Sequence, residues 1–308
     1  MGRCLHLLDK RNHRLSQDDG TPKFQMKKIL LMTAALGVSV CPAENPKSLP
    51  KGEWKDYDNR YALIIMGPAG GDRLYQLYWN TCASQYKELV GPAKFSKENI
   101  RFLSYGKSSE KHKEWIHGLS TLQNVKTAYD WAASKCTDKD LLHVYWISHG
   151  VPEEFILDQK LPHKTLASWM KKIKAKVIIG VYQPCHSGAV VDEISGPNVI
   201  TLTSTDAKHL NNFPWAENVQ YALSNSSDYM NGDHQTRPFS SQADTDGDGV
   251  VDFLEAYLRA SKVYNKERPL LDDNGDGKGS NLGDNKWRPS KPGLDGHKSS
   301  RFSLTGWR

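Results

Sequence analysis

The chain reads as short apolar runs separated by amphipathic stretches. Tyr61-Ala62-Leu63-Ile64-Ile65-Met66 is apolar throughout and bounded by Gly67-Pro68 and Gly70-Gly71, the pattern of a buried strand running into a turn. Residues 73–90 then read as a helix, 99–103 as a second strand, 121–135 as a second helix and 141–147 as a third strand. A helix over 164–173, a fourth strand over 176–182 and a further strand over 198–203 follow. Strands that are apolar throughout and alternate with helices predict a parallel sheet covered on both faces. The expected fold class is therefore α/β, a three-layer α/β/α sandwich with a mainly parallel sheet. From Ser224 onward Asp, Gly, Asn and Ser dominate. Over residues 265–308 little apolar periodicity remains, so an extended, partly ordered wrap is expected there.

Composition narrows the picture. A chain of 308 residues with 38% hydrophobic content suits one large domain carrying a smaller appendage. The formal charge of +6 is concentrated in residues 1–43, which hold seven Lys/Arg against Asp9, Asp18 and Asp19; the remainder has 34 basic and 32 acidic residues. With no basic stripe interleaved with aromatics, nucleic acid is not an expected partner. The Lys171, Lys172, Lys174, Lys176 run reads as a solvated helix end. Met26-Lys27-Lys28 followed by apolar residues 29–40 has the charged start and short apolar middle of a secretory signal. Met26 is the expected initiator and cleavage after Ala43 the plain reading, with lipid attachment at Cys41 as the alternative. No other stretch reaches the ~18 apolar residues of a membrane span. A secreted or periplasmic product is expected, organised as signal (1–43), linker (44–60), main domain (61–230), acidic loop and helix (231–264) and tail (265–308). Beyond the signal lie Cys82, Cys136 and Cys185, an odd number without CxxC spacing, of which the first two read as packing thiols.

Candidate chemistry sits after the third and fourth strands. Open parallel sheets build their sites beyond the carboxyl ends of strands, and there the chain places Ser148-His149-Gly150 and Gln183-Pro184-Cys185-His186-Ser187-Gly188. If those strands are neighbours, His149 can raise the thiolate fraction of Cys185 and later protonate a leaving amine. Gly150, lacking a Cβ, lets the backbone come close to a substrate, and its N–H with that of Cys185 would receive an oxyanion. His143, inside a strand, reads as a hydrogen-bonded core residue, and His186 is expected to point away. A zinc site from His143, His149 and Cys185 lacks the short paired spacings that metal sites favour.

These residues carry a resemblance. Residues 144–150, an apolar strand ending in His-Gly, and residues 180–188, a strand ending in Cys-x-Ser-Gly, resemble the legumain family in order and spacing, across roughly residues 61–223. The resemblance implies a caspase-like sandwich and a cysteine endopeptidase or transpeptidase with Cys185 as nucleophile and His149 as general base. Its substrate would be a polypeptide, with no catalytic metal. The first specificity pocket would lie near Thr203-Ser204-Thr205-Asp206, where Asp206 would pair with a basic residue or merely cap a turn. Two departures stand out: Pro184 replaces the usual Ala, and Ala69 falls where the family carries an asparagine that orients the histidine. The competing class is a catalytically silent exported binding or scaffold protein on the same fold.

A second motif is sharper in physical terms. Residues 244–255 place oxygen ligands at Asp244, Asp246, Asp248, the Val250 carbonyl, Asp252 and Glu255, with Gly249 at the sharp turn, matching an EF-hand calcium loop. Structural Ca2+ is the expected cofactor, with an exiting helix over 252–263 and no entering helix. Asp272, Asn274 and Asp276 begin a similar loop that has Gly283 where the bidentate Glu belongs.

Overall fold

A computed structural model describes residues 57–106, 114–211, 214–224, 226, 228–230, 236–238, 243–284 and 291–304. The expected signal at 26–43 and Cys41 lie outside the described residues. The chain opens with β1 (Arg60–Met66), α1 (Asp72–Val90), β2 (Ile100–Ser104), β3 (Gly118–Leu119), α2 (Leu122–Lys135) and β4 (Leu141–Ile147). A small antiparallel sheet of β5 (Gly150–Val151), β6 (Glu154–Ile156) and β7 (Lys160–Pro162) follows, then α3 (His163–Met170) and β8 (Val177–Tyr182). Next come α4 (Val191–Ile194), β9 (Val199–Thr203) and α5 (Trp215–Leu223). The hairpin β10 (Asp228–Met230) and β11 (Thr236–Pro238), α6 (Phe253–Tyr264) and β12 (Leu270–Asp272) complete the order.

Seven strands form one sheet in the order β12-β9-β8-β4-β1-β2-β3, parallel except for β12. The protein is thus an α/β three-layer sandwich. Every residue of β4 is buried, and alternate side chains enter opposite faces as a strand's period of two requires. Leu141, Tyr145 and Ile147 join one hydrophobic cluster with Tyr78 and Tyr86 of α1, Trp215 of α5 and Phe253 of α6. Leu142, Val144 and Trp146 join the other with Tyr129 of α2, Leu166 and Trp169 of α3 and Ile194 of α4. Both faces are covered, which is why the central strands carry no polar alternation. His143 lies between α1 and β8, its Nδ1 facing the Ile179 carbonyl at 3.2 Å and its Nε2 facing Gln85 Nε2 at 3.3 Å. It is the core histidine expected.

The element boundaries moved where caps decide them. Thr121, expected within α2, is its cap and accepts the Asn124 N–H. Likewise Asp252 caps α6, in a reciprocal box with Glu255. The helix expected over 164–173 ends at Met170, the chain closing with turn bonds from Lys172 and Ile173. Two larger differences concern the C-terminal third. Helix α5 was not anticipated, and the wrap contributes β12, whose Leu271 is fully buried and pairs with Leu202. A three-residue strand is too short to show periodicity. Among the described residues no helix is long and apolar enough to cross a membrane.

Candidate active site and acidic loops

The register of the two central strands places the candidate pair. β4 and β8 are parallel neighbours with Trp146 opposite Tyr182, and His149 and Cys185 each follow three residues later. They therefore emerge side by side at the carboxyl edge. Their side chains make no hydrogen bond to each other among those of the described residues. Cys185 Sγ accepts instead from the Asn211 backbone N–H at 3.3 Å, and the Asn211 side chain donates to the Gln183 carbonyl at 2.6 Å.

The turn carrying Cys185 is held from several sides. His186 has φ +58°, a left-handed conformation that costs energy for a residue with a Cβ. Its backbone N–H bonds the His209 carbonyl at 3.0 Å and its Nδ1 faces the Ala207 carbonyl at 3.0 Å, so its ring turns away from the pair as expected. Gln183, fully buried, accepts from the Ala216 N–H and donates Nε2 to Glu217 at 3.2 Å. Glu217 also receives the Thr81 hydroxyl. Burial pushes the Glu217 carboxyl up to about 7, although the Thr81 and Gln183 donors and a backbone N–H work against that rise. Through Gln183, this buried carboxyl anchors the strand end two residues before the thiol.

His149 sits against Tyr78, with ring centroids 6.1 Å apart, and burial holds its imidazole below the usual value. That burial favours the unprotonated imidazole. Tyr78 is buried, and its hydroxyl is pushed up by that burial and then by Cys185. Ala69 is partly buried against the same cluster, and Tyr78 is a side chain that stands beside the imidazole. Gly150 packs against the peptide of Cys185: a Cβ there would fall 2.2 Å from the Cys185 carbonyl oxygen and 2.8 Å from Pro184 Cβ. Gly150 pairs with Phe155 while the Ile156 N–H bonds the His149 carbonyl. That makes Gly150 a non-hydrogen-bonded ladder residue whose N–H points away from β6, which suits an oxyanion donor.

Asp206 is occupied. Its Oδ1 accepts from the N–H groups of Lys208 and His209 and meets His209 Nδ1 at 2.6 Å, while Oδ2 pairs with Arg268 at 3.2 Å. Burial raises its carboxyl, but the His209 and Lys208 donors hold it below the ordinary range. A basic substrate residue would have to displace Arg268. A cleft of about 430 Å³ opens beside the turn, bounded by Gly188, Ala189 and Ala207 on one side and Glu153, Asp192 and Glu193 on others. A larger hollow of about 520 Å³ lies around Arg101, His117 and Trp131; neither cavity is lined by His149, Cys185 or Asp206. Cys82 and Cys136 are buried free thiols.

The first acidic loop folds as a set of side-chain turns. Asp244 accepts from Gly247 and Gly249, Asp246 from Asp248, and Asp248 from Val250. Gly247 and Gly249 adopt positive φ, which glycine does without penalty. Ligand oxygens of Asp244, Asp246 and Glu255 converge within 4.8 Å of one another, an all-oxygen set suited to a hard cation. Glu255 Oε1 meanwhile accepts from Thr245 Oγ1 and Asp246 N, and Oε2 from Asp252 N. Asp248 and Asp252 are outside that converging trio; the Asp252 carboxylate takes the Glu255 N–H at 2.8 Å. In the second loop Asp272 accepts from Gly275, Asn274 from Asp276 and Asp276 from Lys278. Burial raises the Asp272 carboxyl, with the Ser195 hydroxyl and the Gly275 N–H opposing.

The sequence reading missed Tyr78, Gln183, Asn211 and Glu217. Gln183 alone had been singled out, as part of the segment that carries Cys185, and without a role.

The protein belongs by its sheet to the three-layer α/β/α class. No protein-family model matches the chain, and no curated protein matches it. Among solved structures it is similar to protein GSU0716 of Geobacter sulfurreducens, with 12% identity and a TM-score of 0.39, covering 54% of this chain and 82% of that one.

Proposed function

We propose that this chain is an exported cysteine peptidase of the legumain/caspase type acting on polypeptides. The observation that carries the reading is the emergence of His149 and Cys185 side by side from the adjacent parallel strands β4 and β8. In the proposed reaction His149 takes the thiol proton as Cys185 Sγ attacks a peptide carbonyl. The N–H groups of Gly150 and Cys185 receive the oxyanion. As the intermediate collapses, His149 gives its proton to the leaving amine and a thioester remains on Cys185. Water deprotonated by His149, or a second amine in transpeptidation, then releases the acyl group. No hydrogen bond links the pair among those of the described residues, and catalytic hydrogen bonds often tighten only in the substrate complex.

Calcium would be held by Asp244, Asp246, Asp248, the Val250 carbonyl and Glu255, with Asp252 at the helix cap. It supplies a structural cross-link between the loop and α6 and takes no part in the chemistry.

Labelling tests the reading. A peptidyl electrophile should modify Cys185 stoichiometrically, and the reaction should disappear in Cys185→Ala and His149→Ala. Labelling that is unchanged in His149→Ala would defeat the assignment. One observation favours a second reading, a silent binding protein: the Asn211 N–H lies on Sγ where the imidazole is expected. That reading requires Cys185 to ignore the peptidyl reagent while the fold is intact.

A further inference from the structure

The two acidic loops share more than their sequence pattern. In the first, Glu255, at loop position 12, accepts from the backbone N–H groups of positions 2 and 3, Thr245 and Asp246. Its other oxygen accepts from position 9, Asp252. In the second loop position 12 is Gly283, whose N–H merely closes a turn onto Asn281. Yet a carboxylate stands in the corresponding place. Asp295 Oδ1 accepts from positions 2 and 3, Asp273 at 3.1 Å and Asn274 at 3.4 Å. Its Oδ2 accepts the hydroxyl of position 9, Ser280, at 2.6 Å. Asp295 comes from the C-terminal segment, 12 residues beyond Gly283, and is 2% exposed.

An independent feature calls for a ligand. Asp272 is 2% exposed. Its Oδ1 is turned into the loop by the Gly275 N–H, while its buried Oδ2 has no hydrogen-bond partner. A buried carboxylate oxygen left in that state is costly. Asp273 and Asp295 are buried beside it. The neighbouring cation, Lys298, gives its ammonium to the Pro197 carbonyl at 2.7 Å.

We infer that Asp272, Asn274, Asp276, the Lys278 carbonyl and Asp295 form a second calcium site, with Asp295 supplying the carboxylate that Gly283 cannot. The donors are all oxygen, and the set has three carboxylates against four in the first loop, so it fills at higher calcium. The site joins β12 to the 291–304 segment. Asp273 already binds that segment through the N–H groups of Gly296 and Ser299, and Phe302 bonds the start of α6. An ion there locks the tail onto the sheet edge.

The comparison takes the first loop as a calcium site, so the test separates the two. Native mass spectrometry of the full chain with calcium should count two ions on the wild type and one on Glu255→Gln. Asp295→Asn, which keeps an acceptor for Asp273, should hold one, and the double variant none. Asp276→Asn, at an exposed position, preserves its turn and should raise the calcium needed for the second ion by about tenfold; it serves if Asp295→Asn does not fold. A wild type with a single ion that only Glu255→Gln removes overturns the second site and leaves the first. A single ion removed only by Asp295→Asn supports the second site and overturns the first. Two ions retained by both Asp295→Asn and Asp276→Asn also overturn it, and a wild type that binds none overturns both.

Discussion

Gly150→Ala probes the packing of the two strand ends directly. The added Cβ would lie 2.2 Å from the Cys185 carbonyl oxygen and 2.8 Å from Pro184 Cβ, so the His149-Gly150 and Pro184-Cys185 segments must separate by about 1 Å. A displacement of that size at reacting groups costs on the order of 100-fold in rate. Overpacking of this kind costs roughly 1–3 kcal/mol of stability, or a fall of about 2–12 °C in Tm for a domain of this size. Gly196→Ala is the control: its Cβ would meet only Val199 at 3.6 Å and Asn198 at 3.9 Å, and it should match the wild type. The assay is the second-order rate of Cys185 labelling by a peptidyl electrophile, read beside a melting curve. A Gly150→Ala protein that melts and labels like the wild type would refute the claim that glycine is required by contact with the Cys185 peptide.

Burial holds His149 below its ordinary pKa, so its base form persists into mild acid and the acid limb of the labelling rate should fall below pH 6.5; a limb centred above 7 contradicts this. His143 is pushed down to about 4 by burial, despite its bond to Ile179, so between pH 6.5 and about 4 the unfolded chain takes up a proton that the folded chain refuses. Stability contributed by the neutral ring is full above pH 6.5 and falls by on the order of 3 kcal/mol toward pH 4; denaturant midpoints across that window should show it, less steeply in His143→Gln. Calcium at about a hundred times its Kd should stabilise the fold by roughly 2.7 kcal/mol. Glu255→Gln should remove most of the first loop's share, and identical wild-type melting in calcium and in excess chelator would exclude an occupied site.

How much of this was legible in the sequence depends on the distance over which each feature is written. The runs at 62–66, 141–147 and 177–182 announced buried strands because they are apolar throughout except at His143, as a strand buried on both faces requires. The position of His149 and Cys185 at strand ends followed from those runs. The first acidic loop was equally readable, since its turns bond residues two to five apart. Strand order was not written locally. That β4 and β8 are neighbours is a consequence of packing helices on both faces, and the pairing at the site rests on it.

The remaining features belong to tertiary structure alone. Asn211 reaches Cys185 across 26 residues and Glu217 reaches Thr81 across 136. Asp295 reaches Asp273 across 22. None of these partners has a spacing that local periodicity could reveal, because a loop's closure tolerates many lengths at small entropic cost. The sequence by itself determined the five long buried parallel strands, where they end and how the acidic turns close. The tertiary structure decided which residue stands beside the thiol, which acid anchors its strand and which carboxylate completes the second loop, because those contacts exist only once distant segments share a buried space.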